Sequence, residues 1–287
     1  MQQRPTDTES WVPAIDRRTA IASGAVLAGY ALAARPVSAS AILTAATGLD
    51  AGMTRFAAAN GFTMNAYRAK PAGGKDAPVI LVVQEVFGLH EWVQDICRRL
   101  AAAGYYAIAP DLYQRQGDPT KAADIRTLSE TIVSKVPDAQ VMADLDAAAA
   151  FAGGDGGDRA RLGITGYCWG GRIVWLYAAH NPGLKAGVAW YGRLAGTPGP
   201  LQPQNPIDLV SNIKAPVLGL YGELDQGIPV ADVERMRAAL GPNSQSRLEV
   251  FKGAGHGFLA DYRPSYHEES ARAAWADALA WFGAHLR

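Results

Sequence analysis

A doubly wound α/β sandwich, with a mostly parallel central sheet and helices on both faces, is the architecture this sequence predicts. Short runs of branched apolar residues alternate with segments of helical periodicity along most of the chain. One run, Val79-Ile80-Leu81-Val82-Val83, is apolar without a break, as in a central strand covered on both faces. Three chemically distinctive residues, Cys168, Asp225 and His256, stand just past the ends of such runs, where open parallel sheets gather their chemistry.

The elements follow in order. Residues 1–40 stand apart as a twin-arginine-type signal peptide. Asp16-Arg17-Arg18-Thr19 precedes a modest Ala/Gly-rich core over 20–34, and Val37-Ser38-Ala39-Ser40-Ala41 offers the small residues a signal peptidase cleaves, after Ala39 or Ala41. Ala20 stands where such signals usually carry a bulky apolar residue. The core is too short, and too diluted by Gly24, Gly29 and Tyr30, for a stable membrane anchor. The expectation is export through the Tat machinery to the periplasm or beyond, the alternative being an amphipathic or disordered leader on a cytoplasmic protein.

Residues 41–287 are read as one domain, long enough to bury a sheet on both faces. Residues 54–56 and 61–69 read as edge strands joined at Asn60-Gly61, and 71–78 as a polar turn. Strand 79–83 leads to a helix over 92–103 whose Val93, Ile96, Cys97 and Leu100 share one face. Strand 105–109 follows, then a long excursion over 110–136 and a helix over 138–151. Strands 161–165, 186–190, 217–221 and 247–251, with helices over 170–180 and from near Pro229, complete the set. The Pro/Gly-rich stretch after Gly192, reaching to about 210, cannot be helical and is expected to wall the pocket.

Twenty-seven basic and 27 acidic residues balance, so no global field recruits nucleic acid or an anionic membrane. A small-molecule substrate fits better. No metal or cofactor is expected: His90, His180, His267 and His285 lack ligand spacing, and no phosphate-cradling glycine loop occurs. Two cysteines, Cys97 and Cys168, exclude a disulfide framework, and no bridge between them is expected.

Gly166-Tyr167-Cys168-Trp169-Gly170-Gly171 after the apolar 162–165 reads as a nucleophile elbow carrying a thiol. A strand turning sharply into a helix strains its central residue, and flanking glycines remove the Cβ atoms that would clash. The first amides of the following helix favour a thiolate and then an oxyanion. Asp225 ends the run Leu218 to Leu224, and His256 lies between Gly255 and Gly257. Nucleophile, acid, histidine is the chain order of an α/β-hydrolase triad. Glu223 competes for the acid; Asp225 is preferred because it begins the loop. Glu85, in Gln84-Glu85-Val86-Phe87-Gly88-Leu89, ends the central strand, where an unpaired carboxylate is costly. It is read as the group that holds or receives the thiol proton. Arg115 and Arg263 suggest a substrate that carries a carboxylate.

These segments, with Pro110-Asp111-Leu112-Tyr113-Gln114-Arg115, Tyr221-Gly222-Glu223-Leu224-Asp225, His256-Gly257-Phe258 and Asp261-Tyr262-Arg263, resemble the dienelactone hydrolase family (carboxymethylenebutenolidases) from about Thr54 onward. The resemblance implies an α/β-hydrolase fold with a Cys168-Asp225-His256 triad. It implies Glu85 as thiol partner, Arg115 and Arg263 as receptors of a substrate carboxylate, and Tyr191 in the pocket. The amides of Val86 and Trp169 are expected to form the oxyanion hole. An export leader and the length of the loop after Gly192 depart from the family's small cytoplasmic members. The expected activity is hydrolysis of a small lactone or activated ester through a Cys168 thioester. A broader carboxylesterase or thioesterase on the same triad, and an exported binding protein without catalysis, are the alternatives; rapid, substrate-protected labelling of Cys168 separates an enzyme from a binder.

Overall fold

The structure, a computed structural model, describes residues 44–242 and 244–287; the proposed leader and its cleavage sites lie outside the described residues. Eight strands form one sheet in the order β1-β2-β4-β3-β5-β6-β7-β8. They are β1 (Leu49–Ala57), β2 (Thr63–Pro71), β3 (Ala77–Val83), β4 (Tyr106–Pro110), β5 (Gly157–Tyr167), β6 (Ala186–Trp190), β7 (Val217–Gly222) and β8 (Arg247–Phe251). Strand β1 pairs antiparallel with β2 and β2 with β4, whereas every pairing from β4 through β3 to β8 is parallel. The mostly parallel sheet predicted from sequence is the one observed.

Among the described residues five α-helices connect the strands and a sixth follows the last one: α1 (Glu91–Ala102), α2 (Ile125–Thr131), α3 (Asp138–Gly154), α4 (Trp169–His180), α5 (Val230–Leu240) and α6 (Glu268–His285). Val79 through Val83 of β3 are fully buried; since successive side chains point to opposite faces, both faces of the sheet are covered there. Val93, Ile96, Cys97 and Leu100 of α1 are buried as their spacing predicts. The β1–β2 turn is made by Asn60 and Gly61, both at positive φ (58° and 71°), as an Asn-Gly hairpin turn requires.

Contrary to the expectation of a non-helical stretch after Gly192, a short 3-10 helix spans Pro206–Asn212, with Pro206 at its first turn where a missing amide costs nothing, and two α-helices also escape the sequence reading. Helix α2 lies inside the excursion at 110–136, capped by Asp124, whose side chain accepts from the Thr127 amide at 2.7 Å. Helix α6 follows the last strand, capped by the His267 side chain at the Ser270 amide. Its alanine-rich face, Ala271, Ala274 and Ala278 with Trp281 and Phe282, is buried.

The strand order places the chemistry. After β3 the chain crosses to β4 on one side, and β5 then pairs on the other side of β3. At such a switch point the loops leaving the carboxyl ends diverge and open a crevice. Glu85 leaves β3 and Cys168 leaves β5 at that crevice.

Candidate active site

Cys168 occupies the junction of β5 and α4 with φ 55° and ψ −111°, a conformation costly for any residue with a side chain. The surroundings hold it there. A Cβ on Gly170 would lie 2.5 Å from the carbonyl oxygens of Val83 and Gln84, and one on Gly171 would lie 2.4 Å from the Trp190 oxygen. Glycine alone lets the first turn of α4 press against the ends of β3 and β6. The Cys168 amide donates to the Trp190 oxygen at 3.0 Å, fixing the elbow from the other side.

That approach lays the backbone leaving β3 directly against the start of α4. Trp169 is the first residue of α4, so its amide has no partner within the helix. Val86 sits in the tight turn closed by the Gly88 amide on the Glu85 oxygen at 3.1 Å.

The other two residues of the predicted triad, Asp225 and His256, come together across β7 and β8. The His256 Nδ1–H donates to Asp225 Oδ2 at 2.7 Å, while Asp225 Oδ1 accepts from the amides of Gly227 (2.9 Å) and Ile228 (3.1 Å). Three donors orient this carboxylate, and its bond to Nδ1 leaves Nε2 as the ring nitrogen turned away from Asp225. His256 is hydrogen-bonded to Cys168. Burial pulls the imidazole pKa down, but the Asp225 and Cys168 charges outweigh it and raise it to about 10. All three groups are nearly closed off from solvent, at 3 % for Cys168, 3 % for Asp225 and 7 % for His256. Glu223, the rival acid, instead accepts from the Gly253 amide at 2.9 Å.

Glu85 is fully buried and held through one oxygen. Its Oε2 accepts from Tyr262 Oη (2.6 Å), Arg263 Nη2 (2.7 Å) and His90 Nε2 (3.3 Å), while Oε1 accepts no hydrogen bond from the described residues. Burial would raise this carboxyl, but Arg263, backed by His90 and Tyr262, drives it down to about 2. Arg263 also donates from Nε to the Tyr262 hydroxyl at 2.7 Å and lies over the Phe87 ring, 4.8 Å from its centroid.

Tyr191 adopts φ 37° and sets its ring edge-on to His256, centroids 5.1 Å apart; its buried hydroxyl has no partner among the described residues. Arg115 is engaged elsewhere. It forms a paired contact with Asp144 of α3, Nη2 to Oδ1 at 2.9 Å and Nη1 to Oδ2, and stacks on Phe62, 4.2 Å from the centroid. The loop after Gly192 is tied down by Arg172, whose guanidinium grips Asp138 twice at 2.7 Å and donates to the Gln204 oxygen at 2.7 Å.

Sequence reasoning missed His90 and Tyr262 as partners of Glu85. Tyr262 stood inside a quoted motif, and His90 lies five residues after Glu85 in the same loop, a proximity that ligand spacing does not detect. Among the described residues no group of three or more His, Cys, Asp or Glu side chains is placed to hold a metal ion.

Comparison with known proteins agrees with this fold. The family model described as "Dienelactone hydrolase family" matches residues 64–286. A protein of Methylorubrum extorquens named "Putative carboxymethylenebutenolidase" is 55% identical over 271 residues, covering 93% of this chain and 92% of that one. One of the same name from Escherichia coli K12 is 52% identical over 256 residues, 88% of this chain and 94% of its own. The crystal structure titled as a putative dienelactone hydrolase from Klebsiella pneumoniae superposes with a TM-score of 0.80 at 54% identity, over 82% of this chain and 98% of that one. With the elbow, the switch-point crevice and these matches in hand, the chain belongs to the dienelactone hydrolase family and is a carboxymethylenebutenolidase-like hydrolase on the α/β-hydrolase fold.

Proposed function

We propose that the protein cleaves a small lactone or activated ester through a covalent thioester on Cys168. The observation that carries this reading is the bonded series Cys168–His256–Asp225, with the sulfur at the head of α4 and the Nδ1–Oδ2 bond at 2.7 Å. Cys168 Sγ attacks the carbonyl carbon, and the amides of Trp169 and Val86 receive the oxyanion. His256 protonates the departing alkoxide or enolate as the C–O bond breaks. Acylation removes the sulfur charge that helps to raise the His256 pKa, so the same imidazole then serves as a base toward the water that cleaves the thioester.

The thiol proton has two candidate homes, and charge decides between them. With Arg263 on Glu85 the carboxyl sits at about 2 while the imidazole sits at about 10, so of these two groups His256 is the one that receives the proton when Cys168 becomes a thiolate. The Arg263 contact cancels a negative charge that would otherwise oppose that thiolate. Glu85 takes the proton only if it leaves Arg263, which makes the Glu85–Arg263 contact the switch between resting thiol and nucleophile. An enol-lactone has the further advantage that its stabilised enolate leaves more readily than a basic alkoxide, so attack by the thiolate does not simply reverse. In this reading residues 1–40 export the enzyme before it acts.

The test is mass spectrometry of the intact protein during turnover of a 4-nitrophenyl ester. His256→Ala should accumulate one acyl group on Cys168, and Cys168→Ala none. Undiminished turnover by Cys168→Ala would end the proposal.

A further inference from the structure

Two consecutive residues, Tyr262 through its hydroxyl and Arg263 through Nη2, meet Glu85 from outside its own loop. Both ride on a tight turn closed by the Arg263 amide on the Ala260 oxygen at 2.9 Å, and a second turn, the Ala260 amide on the Gly257 oxygen at 2.9 Å, joins it to His256. Loop backbone holds a side chain loosely unless something outside the loop fixes it. Asp261, a central residue of the first turn, makes that connection. Its Oδ1 accepts from Trp92 Nε1 at 3.1 Å and its Oδ2 from Arg99 Nη2 at 2.6 Å, and both donors belong to α1, which packs on β2 and β4. The ion pair is nearly closed to solvent, with side-chain exposures of 5% for Asp261 and 19% for Arg99. Arg99 is braced in turn. Its Nε donates to Asp95 Oδ2 at 2.6 Å, and Asp95, fully buried, also accepts from Arg98 Nη2 at 3.0 Å and from the amide and hydroxyl of Thr44 at 2.5 and 3.2 Å. The Trp92 ring also meets the Tyr262 ring edge-on, centroids 5.7 Å apart.

We infer that Asp261 is a positioning residue of this hydrolase, tying the 260–263 turn to α1 so that Tyr262 and Arg263 stay in place and Glu85 is the part that moves when their contact opens. The inference rests on the Glu85–Arg263 switch proposed above and deepens it. Asp261 touches neither Glu85 nor Cys168 in this account and acts through the turn alone. Sign separates that action from a direct one. Asp261 and Glu85 carry like charges, so removing the Asp261 charge without moving the turn relieves repulsion and favours an ionised Glu85. Loosening the turn weakens the bonds that hold Glu85 ionised.

The test is a double-mutant cycle on the full chain. Unfolding constants are measured in urea for the native protein, Asp261→Asn, Glu85→Gln and the double variant, at pH 7 and at acid pH. At pH 7 the factor by which Asp261→Asn raises the unfolding constant should be about fivefold or more larger with the carboxylate present than in the Glu85→Gln background. That excess should shrink below pH 4.5, because the folded carboxyl is held down at about 2 and its contribution is lost as the pH falls toward that value. Turnover of a 4-nitrophenyl ester, taken above a Cys168→Ala blank, should lose about tenfold in kcat/KM in Asp261→Asn. If Asp261→Asn does not fold, Arg99→Lys, which keeps the charge and loses the two-pronged reach, takes its place in the same cycle with the same expectation. Equal factors in both backgrounds, which a merely structural residue gives, a smaller factor with the carboxylate present, or an undiminished kcat/KM would each overturn the inference. A Glu85→Gln variant as stable as the native protein at pH 7 would instead remove the Glu85–Arg263 switch, and the inference with it.

Discussion

Replacing Glu85 by Gln keeps the shape of a fully buried side chain and removes its charge. In the folded protein the carboxyl sits at about 2, against an ordinary value of 4.5. Burial alone would push it up, so Arg263, His90 and Tyr262 together more than repay desolvation. That gap corresponds to about 3 kcal/mol of folding stability at neutral pH. Because the folded value is the lower one, the contribution is complete above pH 4.5 and is lost as the pH falls toward about 2. In Glu85→Gln it is absent at every pH, and Arg263, only 6% exposed, meets an amide at position 85 in place of the carboxylate. Urea unfolding followed by far-UV circular dichroism, run on both proteins across the acid range, isolates the term, because every other carboxylate cancels in the difference. The native protein should be more stable by about 3 kcal/mol at pH 7, and the difference should shrink below pH 4.5. A difference under about 1 kcal/mol at pH 7, or one that does not shrink on acidification, would refute the assignment of Arg263 to a charged Glu85.

Gly170→Ala should cost about 3 kcal/mol or more, because its new methyl meets two backbone carbonyls at 2.5 Å. Gly283→Ala, in α6 with nothing within 4 Å, should gain about 0.5–1 kcal/mol; equal melting temperatures for the two variants would contradict the packing described at the elbow. For alkyl esters, whose alkoxide needs a proton to leave, kcat/KM should fall as the pH rises through about 10, where His256 loses its proton. A 4-nitrophenyl ester should show no such limb, and parallel profiles would remove His256 as the acid. Burial pushes the Cys97 thiol far above its ordinary value, so iodoacetamide should label Cys168 alone in the native protein and both cysteines after denaturation; native labelling of Cys97 would contradict its place in the core.

The strands, the elbow and the chain order Cys168, Asp225, His256 are legible in the sequence because their causes are local. An unbroken branched run means a strand buried on both faces, and glycines at Gly166, Gly170 and Gly171 mark a turn too tight for side chains. Helix α2 was hidden because its seven residues carry too few turns for a period to show. Helix α6 was unread because small alanines form its buried stripe where periodic large apolar residues would have marked the face. Sequence named Glu85 because a carboxylate at the end of a buried strand needs a partner, and Arg115 and Arg263 as receptors of a substrate carboxylate. Which charge meets which was decided only in three dimensions. Arg263 reaches Glu85 from 178 residues away and Arg115 reaches Asp144 from 29. Such pairings depend on how strands are ordered and where helices cross them, and the strength of each depends on burial, neither of which a linear spacing contains.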